Sequence, residues 1–195
     1  MERQRSKGER YTYQDYCQWD VEQRWELIDG VAYAMAGPSV AHQTVLGNLF
    51  WKFREFLEGK GCKVFIAPCD VRLNADKEDD TVVQPDLFVV CELDKIKEKS
   101  IDGAPDLVVE ILSPSNRKHD RLVKFKKYRE AGVKELWLAD PDDGSIETFK
   151  LGGGFVDYNI YGVEDTITVG ILPELTIDLS SVFETRDEDG EDGSE

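Results

Sequence analysis

The sequence is poor in the side chains that build structural zinc sites, since its 195 residues include only four cysteines and two histidines. The cysteines form no CxxC pair, and none is paired with a nearby histidine. A structural zinc site is therefore not expected. We predict that Cys17, Cys62, Cys69 and Cys91 are reduced thiols that pack as small apolar side chains.

Long apolar runs are also missing. No stretch approaches the length that a membrane span needs, and residues 1–11 are polar without the apolar core of a secretory signal. These absences predict a soluble, cytoplasmic protein with no membrane partner. The chain also shows no internal repeat.

Basic residues are outnumbered, because 40 Asp and Glu stand against 24 Lys and Arg, for a net charge of −16. Such an excess argues against a protein that coats nucleic acid by bulk electrostatics. The charge is uneven, however: residues 184–195 carry seven acids and one base, whereas residues 117–129 carry seven bases and one acid. We therefore expect nucleic acid binding, if present, to be weak, sensitive to salt and dependent on metal.

Hydrophobic residues make up 41% of the chain, which is enough for one packed core. We predict a flexible polar N-terminus over residues 1–10, a single domain over residues 11–183, and a disordered acidic tail over residues 184–195.

The hydrophobic pattern predicts a mixed α/β domain. Asp29-Gly30 is a type I′ turn signal and predicts a hairpin over residues 25–36, whose register places Glu26 opposite Tyr33 on an apolar-rich face. The other predicted elements are a helix over 39–59, strands over 63–73, 86–91 and 106–112, a helix over 117–131 capped by Gly132, a strand over 135–139, and short strands over 145–179 with turns at 152–154 and near Pro173. Residues 106–139 have the order of a strand-helix-strand crossover.

Two carboxylates on consecutive predicted strands form the most informative pair. Asp86 begins one strand, Glu110 lies near the end of the next, and a connection of about fifteen residues permits antiparallel pairing. Adjacent strands lie about 4.8 Å apart, so these side chains could share one divalent cation. Asp106 is the competing partner for Glu110, but it lies on the same strand at roughly 13 Å, too far to bind the same ion.

A ligand set made only of oxygen atoms favours Mg²⁺ or Mn²⁺ over zinc. Magnesium keeps several waters and meets the remaining charge on a substrate phosphate, so the pair predicts phosphodiester hydrolysis. Such a site usually adds a lysine, yet two residues after Glu110 the sequence has Leu112.

The basic helix offers Lys124 as the missing cation. At 100° per residue, Lys124 falls beside an apolar stripe of Leu122 and Phe125, at the edge of the buried face. Lys124 could then stabilise charge on the phosphate or hold the attacking water.

Several segments in combination resemble the Uma-two family of restriction-type endonucleases, from about Tyr11 to Phe183. They are ELIDGVAYAMAGPS, His42, QPDLFVV, PDLVVEILSPS, the helix with Asp120, Lys124 and Tyr128 at four-residue spacing, GVKELWLADP and the C-terminal strands. The resemblance implies the PD-(D/E)XK nuclease fold, a central mixed β-sheet flanked by helices, here with an N-terminal hairpin and C-terminal strands.

The resemblance also implies roles for individual residues. By position Asp86 is the aspartate of the PD element, Glu110 is the (D/E) element, and Lys124 replaces the lysine that is absent at Leu112. Glu26 resembles the extra N-terminal acid of many such nucleases.

Further residues are candidates for supporting roles. His42 is expected to be structural or to support the metal ligands rather than to act as a general base. Tyr128 is expected to pack and to hydrogen-bond near the site, and Asp70 could face it from the preceding strand. Arg117 and Arg121 could contact phosphates, or simply form an exposed basic face.

Each central assignment has a structural alternative. Asp86 could cap the start of its strand, Lys124 could be a solvated helix residue, and Glu26 could pair with an arginine. Glu110 has the weakest alternative, because an unpaired acid in a doubly buried strand is costly without a cation.

The leading prediction is a Mg²⁺-dependent endonuclease that acts on DNA. A double-strand cut needs two such sites, so we expect a two-fold homodimer. The alternative is a catalytically inactive module of the same fold that binds nucleic acid or a protein partner, as Leu112 and the net charge suggest. A third hypothesis is a nuclease that acts on RNA.

Overall fold

The fold was obtained as a computed structural model that describes residues 2–3, 10–19, 23–114, 116–152 and 156–183. The tail predicted over 184–195, most of the N-terminus predicted over 1–10, and most of the turn predicted at 152–154 lie outside these residues.

The described chain is rich in short strands. In chain order these are β1 (Glu2–Arg3), β2 (Trp25–Ile28), β3 (Val31–Ala34), β4 (Lys63–Ile66), β5 (Asp70–Arg72), β6 (Val82–Val83), β7 (Leu87–Val90), β8 (Ser100–Asp102), β9 (Leu107–Ile111), β10 (Glu135–Asp140), β11 (Ser145–Lys150), β12 (Asp157–Gly162), β13 (Thr166–Thr168) and β14 (Thr176–Asp178). The helices are α1 (Tyr13–Tyr16), α2 (Val40–Leu57), α3 (Arg117–His119) and α4 (Phe125–Ala131), with a π-helical turn at Asp120–Lys124 between α3 and α4, and 3-10 turns at Leu93–Lys95 and Leu179–Ser181.

Two six-stranded sheets organise the domain. The central sheet has the order β12-β11-β10-β9-β7-β4, and the hairpin sheet has the order β1-β3-β2-β6-β5-β8. Both are mixed, because β9 runs parallel to β10 and β5 runs parallel to β8 while the other neighbours are antiparallel. Strands β13 and β14 form a small separate pair. The predicted mixed fold class is confirmed.

The central sheet separates two apolar cores. Along its strands alternate side chains face opposite ways, so Leu87 and Val109 pack with α2 on one face, while Phe88 and Val108 pack on the other. That second core also contains Tyr128 of α4 and residues of the hairpin sheet. Residue 110 shares the parity of the second core, so the Glu110 side chain points toward the helical segment that carries Lys124 and Tyr128.

The elements predicted from local sequence signals are present in the structure. The hairpin turns at Asp29 and Gly30, which adopt φ of 50° and 72°, and it pairs Glu26 with Tyr33. The long helix is α2, which begins after Ser39, whose side chain accepts the backbone N–H of His42. The crossover through α3 and α4 joins the parallel strands β9 and β10, and Gly132 ends the helix at a φ of 93°.

The strand predicted over residues 63–73 is wrong as a single element. It consists of β4 in the central sheet and β5 in the hairpin sheet, with the chain changing sheets around Pro68. Proline has no N–H to donate to a ladder, and it marks the interruption in the sequence.

The prediction that all cysteines are reduced is also wrong, because Cys62 and Cys91 form a disulfide. Lys63 pairs with Val90 in the antiparallel β4–β7 ladder, so the residues one step beyond lie opposite each other. Only Cys17 and Cys69 are free. Spacing along the chain did not reveal the pair, since the strand pairing brings it together.

The helix predicted over residues 117–131 is present, but its buried face differs from the prediction. Leu122, expected in the apolar stripe, is 62% exposed, whereas the Lys124 side chain is only 3% exposed. The π-helical turn has more residues per turn than an α-helix, so a wheel drawn at 100° per residue loses its phase there. None of the helices in the described ranges has both the length and the apolar character needed to cross a membrane.

Candidate active site

A cavity of about 350 Å³ lies where the hairpin sheet, the central sheet, the start of α2 and the π-helical turn meet. One wall is formed by small and apolar residues of β3, the following loop and α2. The polar and charged side chains around it are Arg24, Glu26, His42, Gln43, Asp86, Glu110, Ser113, Asn116, His119, Asp120 and Lys124.

Asp86 and Glu110 come to this cavity from adjacent antiparallel strands. Leu87 pairs with Val109 in the β7–β9 ladder, so the residue before Leu87 lies level with the residue after Val109. The Asp86 Oδ2 atom accepts the backbone N–H of Ile111 at 2.8 Å and lies 3.2 Å from His42 Nε2. The predicted antiparallel arrangement is therefore present, and both carboxylates line the same cavity.

Lys124 lies at the centre of a buried carboxylate cluster. Its Nζ atom is 2.7 Å from Glu110 Oε1, 2.9 Å from Glu26 Oε1 and 3.6 Å from Asp120 Oδ1. The phenol of Tyr128 donates a hydrogen bond to the same Glu110 oxygen. The π-helical turn holds both Asp120 and Lys124, and the cluster joins this turn to β2 and β9.

Burial controls the ionisation of this cluster. It raises the pKa of Glu110 well above its usual range, and it raises the pKa of Asp120 to about 6. Burial acts in the opposite sense on Lys124, but the neighbouring carboxylates Glu110 and Glu26 outweigh it, so the pKa of Lys124 is raised well above its usual value. Lys124 is therefore a charged ammonium at neutral pH.

Two further side chains in the region stay neutral. Burial lowers the pKa of the His119 imidazole, and the nearby Lys124 charge lowers it further against the opposing effect of Glu26. Burial and the Glu110 charge raise the pKa of the Tyr128 phenol, so it remains a hydrogen-bond donor. Lys124 is consequently the charged donor that faces Glu26 and Glu110.

Leu112, which occupies the position where the nuclease pattern has lysine, is a core residue. Leu112 is 2% exposed and packs in the second apolar core with Tyr128 and Val133. An ammonium there would lack the polar surroundings that a buried charge requires. Lys124 instead reaches Glu110 from the helix that covers this strand.

The donor set around the cavity fits a small hard cation. Asp86 and Glu110 offer carboxylate oxygens, and Glu26 and Asp120 add negative charge next to the Lys124 ammonium. Within the described ranges, no three His, Cys, Asp or Glu side chains already form a metal-binding group. Magnesium does not require one, because it keeps several waters and commonly binds proteins through one or two carboxylates.

Four of the predicted residues lie outside the cavity lining. Tyr128 reaches the site only through Glu110. Asp70 lies on β5, where it accepts hydrogen bonds from Tyr16 and Gln84 beside a different cavity. Arg117 pairs with Asp140 at 2.9 Å, and Arg121 forms a two-pronged ion pair with Glu147. Neither arginine faces the carboxylate cluster.

Other cavity residues were not assigned a role from the sequence. The four-residue spacing of Asp120 and Lys124 was a usable signal, since residues i and i+4 share a helix face. Arg24, His119 and Asn116 carried no such signal, because long-range packing alone brings them to the cavity.

Comparison with solved structures shows that this fold is shared with a protein of known structure. A crystal structure titled as a "putative nuclease belonging to DUF820" from Anabaena variabilis ATCC 29413 superimposes with a TM-score of 0.73, covering 89% of this chain and 97% of that chain at 17% identity. At that identity the likeness shows the fold alone.

Sequence comparison identifies the family. The chain belongs to the Uma2 family, described as "Putative restriction endonuclease", whose model matches residues 13–180. The predicted resemblance is thus confirmed. A relative from Synechocystis sp. (strain ATCC 27184 / PCC 6803 / Kazusa), named "Uncharacterized protein slr1290", is 34% identical over 117 residues. That match spans 59% of this chain and 60% of the relative, less than two thirds of its length.

Proposed function

We propose that this protein is a Mg²⁺-dependent endonuclease that hydrolyses phosphodiester bonds in DNA. The observation that carries the proposal is the convergence of Asp86, Glu110 and Lys124 on one cavity. Membership of a family described as restriction endonucleases supports the reaction class.

Asp86 and Glu110 would hold the metal, and Mn²⁺ would be an alternative to Mg²⁺. The bound cation would neutralise charge on the phosphate and position a water molecule. Lys124 keeps its proton and donates hydrogen bonds, either to a phosphate oxygen or to the attacking water. Glu26 orients the Lys124 amine from the other side, at 2.9 Å. His42 holds Asp86 in place from the first turn of α2.

Plasmid cleavage in the presence of Mg²⁺ or Mn²⁺ tests the proposal. We expect the wild type to nick or cut the plasmid, and Asp86→Asn, Glu110→Gln and Lys124→Ala each to lose activity on the order of 100-fold or more. Asp142→Asn is a matched control, because this carboxylate is 62% exposed and pairs with Arg117 outside the cavity.

A wild type that never cuts DNA, or cavity variants that cut as well as the control, would contradict the proposal. A protein that still binds nucleic acid or a partner would then be the inactive module. Cleavage of RNA but not DNA in a parallel reaction would support the RNA-directed alternative.

We also propose that the protein acts as a homodimer in the cytoplasm. Two related sites would allow both strands to be cut, and light scattering measures the mass of the assembly in solution. The Cys62–Cys91 disulfide is the feature that opposes a cytoplasmic location, because disulfides persist mainly in oxidising compartments.

A further inference from the structure

The guanidinium of Arg24 lines the acidic cavity. Its Nε atom donates to Gln84 Oε1 at 2.9 Å, while its Nη2 atom is enclosed and has no hydrogen-bond partner among the described residues. Among the residues that the structure describes, no carboxylate forms an ion pair with it. A buried donor without a partner costs free energy, so an acceptor oxygen from a ligand would be stabilised by hydrogen-bonding to this nitrogen.

The other candidate cations are already paired. Lys124 is taken up by three carboxylates, and Arg117 and Arg121 are neutralised by Asp140 and Glu147 outside the cavity. Within the described part of the cavity lining, Arg24 is therefore the arginine or lysine that has no carboxylate partner. A polyanion that approaches four carboxylates needs such a charge to offset repulsion.

Gln84 fixes the position of Arg24. The Gln84 side chain donates from Nε2 to Asp70 Oδ1 at 2.9 Å and to the Tyr16 hydroxyl at 3.0 Å. A carboxylate can only accept, so the amide oxygen must face Arg24. The backbone N–H of Gln84 also donates to Glu26 Oε1 at 3.0 Å.

The sequence order strengthens this arrangement. Gln84 stands two residues before Asp86, so one segment delivers both the support for Arg24 and a carboxylate of the cluster. The network through Tyr16 and Asp70 fixes that segment from the far side.

We infer that Arg24 binds a phosphate group of the nucleic acid backbone beside the carboxylate cluster, and that Gln84 is its positioning residue. A planar guanidinium presents paired donors that match phosphate oxygens. This inference rests on the proposed function only in taking a phosphodiester as the substrate. It assigns backbone binding to Arg24 rather than to Arg117 and Arg121, the arginines that the sequence favoured.

Binding of a fluorescein-labelled DNA duplex, followed by anisotropy with Ca²⁺ in place of Mg²⁺ to slow cleavage, tests the inference. We expect Arg24→Gln to weaken binding about tenfold and to lower the slope of log affinity against log salt by about one. Arg24→Lys should recover part of the affinity. Arg117→Gln is the matched control, because its charge is already neutralised, and it should bind as the wild type does.

Two further measurements separate a binding role from loss of structure. Arg24→Gln should still fold, with a cooperative thermal transition and a wild-type circular dichroism spectrum, and should still bind Mn²⁺, because no ion pair joins Arg24 to the carboxylates among the described residues. Gln84→Leu should weaken DNA binding, but the double variant should bind no more weakly than Arg24→Gln alone, since Gln84 acts through Arg24.

Wild-type affinity and salt slope in Arg24→Gln would overturn the inference, as would an equal loss in Arg117→Gln or a wild type that binds no duplex. The proposed function fails separately, through the absence of cleavage. If the wild type binds DNA through Arg24 but cuts nothing, the inference stands and the endonuclease proposal does not.

Discussion

The protonation of Asp120, which lines the cavity, makes the stability of the fold depend on pH. Burial raises its pKa to about 6, above the ordinary value of 3.8 that it would have in the unfolded chain. The folded state therefore binds the proton more tightly than the unfolded state does. Stability from this group is fully present at acid pH and is lost as the pH rises through these two values.

We predict that Asp120→Asn removes this dependence. Relative to the variant, the wild type should lose up to about 3 kcal/mol of unfolding free energy between about pH 4 and about pH 7. Urea unfolding in EDTA at several pH values measures the difference. Asp142→Asn serves as an exposed control, and parallel pH profiles for wild type and Asp120→Asn would show that Asp120 titrates normally.

Single residues were predictable where a strand or helix pattern determined their direction. Asp86 and Glu110 could be placed on one face because strand parity and antiparallel order determine it. The position of Arg24 could not be predicted in this way, because Arg24 precedes a strand. Its contact in the cavity is with Gln84, which lies sixty residues away along the chain.

Among the secondary-structure elements, β4 is the edge strand of the central sheet, and it ends beside the cavity. Ile66 and Ala67 line the cavity at one end of β4, and the Cys62–Cys91 disulfide joins it to β7 at the other. The disulfide closes a loop over a sequence separation of 29. It therefore restricts the unfolded chain and holds the edge strand to the strand that follows Asp86.

We predict that the Cys62→Ser/Cys91→Ser variant loses about 3 to 4 kcal/mol of unfolding free energy under non-reducing conditions. Urea unfolding with and without dithiothreitol measures this loss, and the reductant should destabilise every protein that keeps the disulfide but not Cys62→Ser/Cys91→Ser. The Cys17→Ser/Cys69→Ser variant is the control, because those cysteines are free. Equal stability of wild type and Cys62→Ser/Cys91→Ser in oxidising buffer would contradict the prediction.

Elements whose signals are local were predicted well. The β2–β3 hairpin follows from its two-residue turn, and α2 follows from its cap and its apolar spacing. The division of residues 63–73 between two sheets and the π-helical turn were missed. Both depend on contacts with distant parts of the chain, which override local preference.

For the whole molecule, the net charge of −16 opposes nucleic acid binding, but it is not spread evenly. Residues 184–195 hold seven of the acids, and the cavity lining holds four more that a cation would partly neutralise. Among the basic residues of the helical segment 117–131, Arg117 and Arg121 are neutralised by ion pairs within the fold. Long-range repulsion should therefore be strong at low salt and screened at high salt.

We predict that replacing the seven acids of residues 184–195 with their amides raises duplex affinity by about three- to tenfold at about 50 mM salt, with little effect at about 300 mM. Anisotropy with the full-length variant measures this change. If the charge of residues 184–195 did not affect binding, this variant would bind the duplex with wild-type affinity at both salt concentrations. Strong binding by the wild type without metal would contradict the expected dependence on metal.

The sequence alone determined the family, the mixed fold class, the hairpin register and the pairing of Asp86 with Glu110, because these depend on turn chemistry, residue parity and motif order. Only the tertiary structure decided which charges remain available. It buried Lys124 among three carboxylates and paired Arg117 and Arg121 with acids of the central sheet, and it gave Arg24 no ion pair with any residue in the described ranges. Ion pairs and burial depend on which distant segments meet, and no periodicity in the chain records that.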